Sequence, residues 1–228
     1  MNQSNRLYGL GAIAGDVIGS VYEKRAIKSV DFPLFSTRSR FTDDTVLTVA
    51  TMAALMQTAD FTAIYQQFAR SHPGRGYGGT FLQWMNLENP LPYNSWGNGS
   101  AMRVSPVAWA FDTEEEVLLA AQKSAEVTHN HPEGIKGAQA VALAVFLARK
   151  GRDKSIIREQ IQGRFGYNLS RSIDEIRPTY LFDVSCQGSV PEALCAFLES
   201  EDFETAVRLA ISLGGDRGAF QNNVKQYF

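Results

Sequence analysis

The chain has 228 residues, of which 44% are hydrophobic and 20% are charged, an ordinary composition for a folded globular protein. Its 22 basic and 24 acidic residues are mixed along the sequence and leave a formal net charge of -2, so no basic field exists to hold a nucleic-acid backbone. Cys186 and Cys195 are too few for a disulfide framework, and no segment approaches the roughly 20 apolar residues of a membrane helix. We therefore expect a cytoplasmic protein with neither a nucleic-acid nor a membrane partner.

Apolar residues recur with helical spacing in segment after segment, and strict two-residue alternation is sustained nowhere. The clearest stripes cover residues 46–53, 135–146, 190–199 and 203–213. Three polar residues separate the last two stripes, as expected of neighbouring antiparallel helices. We predict an all-α bundle of about ten helices. The motifs described below are spread over nearly the whole chain, so we expect residues 1–228 to form a single domain.

The first motif is a glycine-rich apolar segment, residues 11–23, that carries two acids. Its glycines recur every four residues, which on a helix makes a small face that a neighbouring helix can approach closely. It is not a G-x-G-x-x-G fingerprint, and no βαβ pattern surrounds it. Asp16 and Glu23 are two helical turns apart and would share one face of an unbroken helix. Taken alone, each is best read as a surface acid.

Residues 25–41 are polar and lack the helical pattern, and Thr42-Asp43-Asp44-Thr45 follows them directly before a helical stripe. Carboxylates at the start of a helix are favoured by its free N–H groups and its dipole. One acid with a neighbouring threonine suffices for capping, and this segment has two acids between two threonines. A hydroxyl with two carboxylates is the oxygen-rich ligand set that magnesium takes. Both readings, a helix cap and a metal site, stay open on this segment alone.

Two turn-rich stretches, residues 73–79 and 86–99, lead into Gly97-Asn98-Gly99-Ser100, which we interpret as a turn that opens a helix. Such a junction also makes a phosphate site, because small residues leave the backbone N–H groups accessible. His129 and His131 precede a helix expected to start near Glu133. They have no Cys or His partner at zinc spacing, so a capping and ligand-contacting loop is favoured over a zinc site.

The last motif, Gly214-Gly215-Asp216, follows the final apolar stripe, and its glycines are typical of a helix C-terminal stop. Asp216 is either a surface acid or an acid that the fold brings back against the helix starting near residue 42. The sequence leaves both possibilities open.

Together and in this order, the motifs resemble the ADP-ribosylglycohydrolase family, and the resemblance covers nearly the whole chain. The matching segments are Gly15-Asp16-x-x-Gly19-x-x-x-Glu23, Thr42-Asp43-Asp44-Thr45, Gly97-Asn98-Gly99-Ser100-x-Met102-Arg103, Thr128-His129-x-His131-Pro132 and Gly214-Gly215-Asp216. The resemblance implies an all-α fold and a magnesium-assisted hydrolase that cleaves the bond between ADP-ribose and an acceptor, a protein side chain or a small molecule. It implies one or two magnesium ions, with Thr42, Asp43, Asp44 and Asp216 as ligands.

The resemblance also implies roles for other residues. Glu23 would lie over the metal site as an acid, base or gating carboxylate, and Asp44 would share the catalytic work. Asn98, Gly99, Ser100 and Met102 would hold the pyrophosphate and the ribose, and His129 would contact the ligand.

One departure from the family pattern lies at the end of the chain. Members usually continue the last motif as Gly-Gly-Asp-x-Asp-Thr, whereas this chain has Arg217-Gly218-Ala219 after Asp216. The loss of two oxygen ligands and the gain of a cation should weaken at least one metal site. The alternative hypothesis is therefore a catalytically impaired module that still binds ADP-ribose. A helical protein without a functional site is the least favoured hypothesis, because it gives none of the five motifs a function.

Overall fold

The structure is a computed structural model and describes residues 9–23, 27–181 and 183–214. Within these ranges the secondary structure is helical, apart from one isolated antiparallel bridge between Gly97 and Ser185. The helices are α1 (Leu10–Gly19), α2 (Asp43–Gln57), α3 (Phe61–Ser71), α4 (Gly79–Trp84), α5 (Gly99–Met102), α6 (Val107–Ala110), α7 (Glu114–Glu126), α8 (Pro132–Arg149), α9 (Lys154–Phe165), α10 (Ile173–Ile176), α11 (Cys186–Glu199) and α12 (Phe203–Ser212). The prediction of an all-α fold is confirmed.

The long helices agree with the apolar stripes, and the difference in helix number comes from short elements. Helices α2, α8, α11 and α12 contain the predicted stripes, with α11 starting four residues before its stripe. Helices α5, α6 and α10 have four residues each. A single turn cannot display a 3.6-residue period, so periodicity does not reveal such helices. That residues 1–228 form one domain stays a prediction.

Helix α8 lies at the centre of the main hydrophobic cluster. All but one of its side chains from Ala138 to Leu147 are buried, because this stretch has almost no polar residue with which to face water. Helices α7, α9 and α11 pack around it, and α12 packs on α11. Gly137 allows the close approach of α11: a Cβ at this position would lie 2.4 Å from Cys186 Sγ.

A second hydrophobic cluster joins α2, α3 and α4, and the side chain of Met102 from α5 belongs to it. A third and smaller cluster joins α1 and α12 to the segment that precedes α2, through Ile18, Phe32, Val207 and Ile211. The ammonium of Lys28 fastens the same segment by donating to the carbonyls of Arg177, Tyr180 and Leu213. Residues 27–34 are therefore held against α12, although they form no helix.

Helix α1 ends at Gly19, so the two acids of the first motif do not share one helix. The chain turns at residues 20–23, and Ser20 closes the helix by donating its N–H to the carbonyl of Asp16. The expected common face of Asp16 and Glu23 required an unbroken helix and is therefore wrong. Within the described residues, no helix has the length and apolar character that a membrane span requires.

Candidate functional site

Asp16 is a buried anchor for the start of α2, and its reading as a surface acid is wrong. Only 2% of the residue is exposed. Its Oδ2 accepts hydrogen bonds from the Thr42 N–H at 2.8 Å, the Thr45 N–H at 3.2 Å and the Thr45 hydroxyl at 2.5 Å, while its Oδ1 accepts from the Thr42 hydroxyl at 2.7 Å. A carboxylate from α1 thus satisfies N–H groups at the first turn of α2, which have no partner inside that helix.

The buried face of α1 contains the signal that would have identified Asp16. Ala12, Gly15, Asp16 and Gly19 are all buried, at the i, i+3, i+4 and i+7 spacing of one helix face. The glycine spacing correctly predicted a close helix contact, because α1 packs on α2. An acid within that small-residue face cannot stay solvated once the helices meet, so it needs donors from the facing helix.

Thr42 links the two buried carboxylates of the site. Its hydroxyl caps α2 by accepting the Asp44 N–H at 3.3 Å, and it lies 2.7 Å from Asp16 Oδ1 and 3.1 Å from Asp44 Oδ2. A threonine hydroxyl has one proton and two lone pairs. The shorter contact, to Asp16, takes the proton, and the cap takes one lone pair. The remaining lone pair lies beside the Asp44 carboxylate, and a cation between these oxygens would stabilise the arrangement.

The donor chemistry at the start of α2 therefore fits a hard cation. Thr42 and Asp44 are 3% exposed each and offer only oxygen, the ligand atom that magnesium prefers. Asp43 is half-buried on the same turn and faces the loop after α3, where its N–H donates to the Arg75 carbonyl at 2.9 Å. A Cβ added to Gly76, whose φ is +109°, would lie 3.1 Å from Asp43 Oδ1. Thr42 and Asp44 thus share one network, and Asp43 adjoins it.

Two further residues, Asp216 and Glu23, were predicted for this part of the site. Asp216 lies outside the described residues. Glu23 lies in the turn after α1, where the hydroxyl of Ser20 accepts the N–H of Arg40, so this turn adjoins the segment that enters α2. Among the residues that the structure describes, no group of three or more His, Cys, Asp and Glu side chains is arranged to hold a metal ion. The magnesium set stays a prediction.

The predicted phosphate loop is fastened to the start of α11. The N–H of Asn98 donates to the Val184 carbonyl at 2.8 Å, and its side-chain Nδ2 donates to Ser189 Oγ at 3.0 Å. Cys186 donates its N–H to the Trp96 carbonyl at 2.9 Å and its thiol to the Gly97 carbonyl at 3.1 Å. Burial raises the pKa of this thiol to about 12, so it stays protonated and serves as a donor. Backbone groups, the Asn98 amide and the Cys186 thiol together hold the loop on α11.

Ser100 and Met102 turn their side chains away from the loop surface. The hydroxyl of Ser100 donates to the Gly134 carbonyl at 2.7 Å, and the Met102 side chain is buried in the second hydrophobic cluster. Any contact that these two residues make with a ligand therefore has to come from backbone atoms. Their role in substrate binding stays a prediction, and it is now limited to contacts made by their backbone atoms.

The acidic turn and the glycine loop are neighbours. The hydroxyl of Thr48 on α2 donates to the Met102 carbonyl at 3.4 Å. Asp44 lies four residues before Thr48, and residues with this spacing lie above one another on a helix face, with Cβ atoms about 5–6 Å apart. The face of α2 that bears Asp44 is therefore turned toward α5, and about one helical turn separates the acidic turn from the loop.

His129 packs against the glycine loop and is 6% exposed. Its Nδ1 is 2.7 Å from Thr128 Oγ1. Its Nε2 faces the loop: Cβ atoms added to Gly99 and Gly97 would lie 3.0 Å and 3.6 Å from it. Burial, with a smaller contribution from the charge of Arg103, holds the pKa of His129 well below its usual range. His131 caps α8 through Nδ1, which accepts the Glu133 N–H at 3.1 Å, as the sequence suggested.

An exposed tryptophan at the rim was missed from the sequence. Trp96 is 53% exposed, and Val184, whose carbonyl holds the loop, is 50% exposed. The Trp96 ring meets the His131 ring edge-on, with centroids 5.8 Å apart. An exposed aromatic ring beside a glycine loop is suited to contact a planar group of a ligand. The signal was its position directly before Gly97.

The described residues form a helical protein in which an oxygen-rich acidic turn and a buried histidine both lie near a glycine loop. The sequence profile of the ADP-ribosylglycohydrolase family matches residues 5–219. The chain belongs to the ADP-ribosylglycohydrolase family.

Relatives and a solved structure agree with this assignment. The chain is 31% identical over 180 residues to the ADP-ribosylhydrolase ARH3 of Mus musculus, a match that covers 64% of this chain and 49% of that protein. The ARH3 of Gallus gallus is 26% identical over 289 aligned residues, with 90% of this chain and 79% of that protein covered. A structure of an "ADP-ribosylglycohydrolase-related protein complex" superposes with a TM-score of 0.74 at 21% identity, over 96% of this chain and 83% of that chain, which supports the fold. The chain spans about half the length of the mammalian relatives it matches.

Proposed function

We propose that this protein hydrolyses the glycosidic bond between ADP-ribose and an acceptor, with magnesium held at the start of α2. The observation that carries the proposal is the network of Asp16, Thr42 and Asp44, about one helical turn from a glycine loop with a buried histidine behind it. Family membership supports the same reaction, since the matched relatives carry the name ADP-ribosylhydrolase.

In this proposal Thr42, Asp43 and Asp44 would hold the metal, with Asp216 contributing from the other end of the chain. Magnesium bound there would supply positive charge that orients the ribose hydroxyls and polarises a water molecule. Asp16 keeps the turn in shape by accepting four hydrogen bonds from Thr42 and Thr45. Its part is positioning, because its carboxylate oxygens are already committed to those donors.

The ligand would extend from the acidic turn to the glycine loop. Backbone groups of Asn98 and Gly99 would contact the pyrophosphate, because the side chains of Ser100 and Met102 are turned inward. His129 would donate to the ligand from behind the loop. Binding the ribose at the acidic turn and the diphosphate at the loop would fix the anomeric carbon relative to the carboxylates, and such positioning lowers the barrier by removing motion before the reaction.

Bond cleavage requires a base for the attacking water and stabilisation of positive charge on the ribose. The Asp44 carboxylate, buried near the metal ligands, would stabilise the oxocarbenium-like transition state, as carboxylates do in other glycoside hydrolyses. Glu23, in the turn beside the segment entering α2, would take the proton of the water as its oxygen bonds to the anomeric carbon. The bond between the anomeric carbon and the acceptor breaks in the same step, and the acceptor would take the proton that Glu23 gained, which releases ADP-ribose and restores the carboxylate.

The proposal is tested by measuring ADP-ribose released from peptides ADP-ribosylated on serine or arginine. The full chain is assayed with magnesium and with a chelator, beside Asp44→Asn and, as a control, Asp112→Asn, whose exposed carboxylate pairs with Arg149 and Lys150. We expect release that needs magnesium, falls at least about 100-fold in Asp44→Asn and is unchanged in Asp112→Asn. Release that is indifferent to both the chelator and Asp44→Asn would contradict the proposal.

A second candidate, an ADP-ribose-binding module without turnover, is favoured by the sequence Arg217-Gly218-Ala219 after Asp216. Calorimetric titration with ADP-ribose separates the two functions. Binding without release from any ADP-ribosylated peptide would replace the hydrolase with the binding module, and binding with release would exclude that replacement.

A further inference from the structure

Arg103, the residue that follows α5, is the largest fully buried side chain of the described residues. Its guanidinium lies over the Tyr65 ring at 4.3 Å from the centroid. Its Nη2 donates to the Ser124 carbonyl at 2.9 Å and to Thr128 Oγ1 at 2.8 Å. Within the described parts of the chain it forms no ion pair with a carboxylate, and its Nε and Nη1 have no hydrogen-bond partner. Burying a guanidinium without a counter-charge is costly. Stability alone therefore does not explain why Arg103 is buried.

The contact with Thr128 leads from Arg103 to the histidine. Thr128 Oγ1 accepts from Arg103, which can only donate. The Tyr93 phenol also bonds to Thr128 and can donate its own proton to it, which leaves the Ala125 carbonyl and His129 Nδ1 as acceptors for the Thr128 hydroxyl proton. The Ala125 carbonyl is 3.5 Å away, at the limit for a hydrogen bond, and His129 Nδ1 is 2.7 Å away, the usual distance for a hydroxyl donor. The hydroxyl of Thr128 therefore donates to Nδ1, which has to be unprotonated.

A neutral imidazole that accepts at Nδ1 carries its proton on Nε2. This is the nitrogen that faces the loop, at 3.0 Å and 3.6 Å from where Cβ atoms of Gly99 and Gly97 would lie. Because both positions are glycine, no side chain separates Nε2 from the loop surface. The proton on Nε2 is therefore directed at whatever oxygen the loop binds.

We propose that Arg103 and Thr128 are positioning residues that fix His129 as a neutral Nε2–H donor, directed at an acceptor oxygen of the ligand held by the glycine loop. The identity of that ligand, ADP-ribose, rests on the proposed function, whereas the tautomer of His129 does not. In this arrangement the buried guanidinium of Arg103 acts through Thr128. It fixes the direction of the Thr128 hydroxyl, and this direction decides which nitrogen of the imidazole carries the proton.

The tautomer is measured by two-bond proton–nitrogen correlation NMR on protein labelled with ¹⁵N-histidine and without ligand, with His129→Gln to assign the signal. We expect the wild type to show a protonated Nε2 and an unprotonated Nδ1. Thr128→Ser, which keeps the hydroxyl, should preserve this pattern, and Thr128→Val should give a mixture of tautomers. Thr51→Val is the matched control, since Thr51 is equally buried and bonds Tyr65 rather than His129; it should leave the His129 signal unchanged.

The contribution of Arg103 is tested by the same signal in two further variants. Arg103→Lys keeps a positive charge and a donor and should retain mainly the Nε2–H form, whereas Arg103→Met removes both and should raise the Nδ1–H fraction. If Arg103→Met does not fold, as judged by circular dichroism, the comparison of Thr128→Val with Thr128→Ser decides the proposal. An Nδ1–H tautomer in the wild type, or an unchanged signal in Thr128→Val, would overturn it.

A second readout connects the tautomer to the ligand. Calorimetry with ADP-ribose should give a Kd that is raised about tenfold in Thr128→Val, the effect of one hydrogen bond, and that is close to the wild-type value in Thr128→Ser and Thr51→Val. Equal affinity in wild type and Thr128→Val would overturn the positioning role. If the wild type does not bind ADP-ribose although its His129 has the expected tautomer, the proposed function fails and the hydrogen-bond assignment stands.

Discussion

The acidic end and the histidine end of the candidate site are assembled in different ways. At the acidic end, Thr42 to Thr45 are consecutive in sequence, and one distant residue, Asp16, fastens them. At the histidine end, Arg103 and Thr128 come from separate parts of the chain and meet only in the fold. The first end is a local motif with a tertiary anchor, and the second is a tertiary arrangement with almost no local signature.

The two ends also differ in charge. The acidic end brings Asp16, Asp43 and Asp44 together at one helix start, which favours a cation. The histidine end contains the buried charge of Arg103 and an imidazole whose pKa is lowered by burial, which favours an anion or a hydroxyl oxygen as acceptor. A ligand with ribose hydroxyls at one end and a diphosphate in the middle matches this division. The predictions that follow test each end separately.

The largest expected effect comes from Asp44→Asn at the acidic end. It should lower kcat/KM for ADP-ribose release at least about 100-fold and change the unfolding free energy by less than about 1 kcal/mol, because relief of repulsion with Asp16 is offset by a lost interaction with the helix dipole. Urea denaturation and the release assay check both halves of this prediction. A loss of stability equal to the loss of activity would mean that Asp44 supports the fold and not the reaction.

Asp16→Asn, unlike Asp44→Asn, should lower the stability of the fold substantially. An amide cannot accept all four hydrogen bonds that Thr42 and Thr45 donate to the carboxylate, so we expect the unfolding free energy to fall by about 2–3 kcal/mol. Activity should fall as well, through the displaced acidic turn. If Asp16→Asn proves as stable as the wild type, Asp16 is not the anchor of α2.

The histidine end should be visible in the pH dependence of stability. Because the pKa of His129 is lowered in the folded state, the unfolded state binds more protons below pH of about 6.5, and acid therefore favours unfolding. The unfolding free energy should decrease as the pH falls below about 6.5, with a contribution from His129 of up to about 1.4 kcal/mol per pH unit. This stability is fully present above about pH 7.5, where the imidazole is neutral in both states, and its loss is complete only below the folded pKa.

Urea denaturation from pH 7.5 to 5.0 measures this slope. His129→Gln should flatten it, whereas Leu119→Ala, which changes an exposed side chain without a titratable group, should leave it as in the wild type. Equal slopes in the wild type and His129→Gln would show that His129 accepts a proton in the folded protein, contrary to its neutral state in our account.

The smallest effect is expected at the rim. Trp96→Ala should raise the Kd for ADP-ribose about 2- to 10-fold, the usual worth of one aromatic contact, without altering kcat. Leu119→Ala is the control, since Leu119 is also 53% exposed but lies on α7 outside the site. A loss of affinity of the same size in both variants would remove Trp96 from the site.

The difference between the two ends also explains what could be predicted from the sequence. The helix start at residue 42 was predictable, because a capping threonine, two acids and an apolar stripe are contiguous. The role of Asp16 was not, since it requires α1 to pack on α2, although the small-residue spacing around it indicated a close helix contact. Glu23 was expected on the same helix as Asp16, because apolar periodicity alone does not show that this helix ends at Gly19.

The histidine end was predicted only as a loop that contacts the ligand. Nothing near Arg103 in the sequence indicates full burial, because an arginine after a short helix is usually solvated. Its role appears only when Tyr65, Ser124 and Thr128 surround it. The short helix α5 was anticipated as a turn that opens a helix, since Asn-Gly is a local signal. The sequence therefore indicated local motifs and one helix contact, but not the residues that meet around Arg103.

The most direct test of the account is a crystal structure of the full chain with ADP-ribose and Mn²⁺, a magnesium substitute that anomalous scattering locates. Our account predicts a metal peak within coordination distance of the Thr42 hydroxyl and the Asp44 carboxylate, with ribose hydroxyls on the same ion, the diphosphate at Asn98 and Gly99, and His129 Nε2 within hydrogen-bond distance of a ligand oxygen. A metal bound elsewhere, or ADP-ribose bound away from the start of α2, would contradict it.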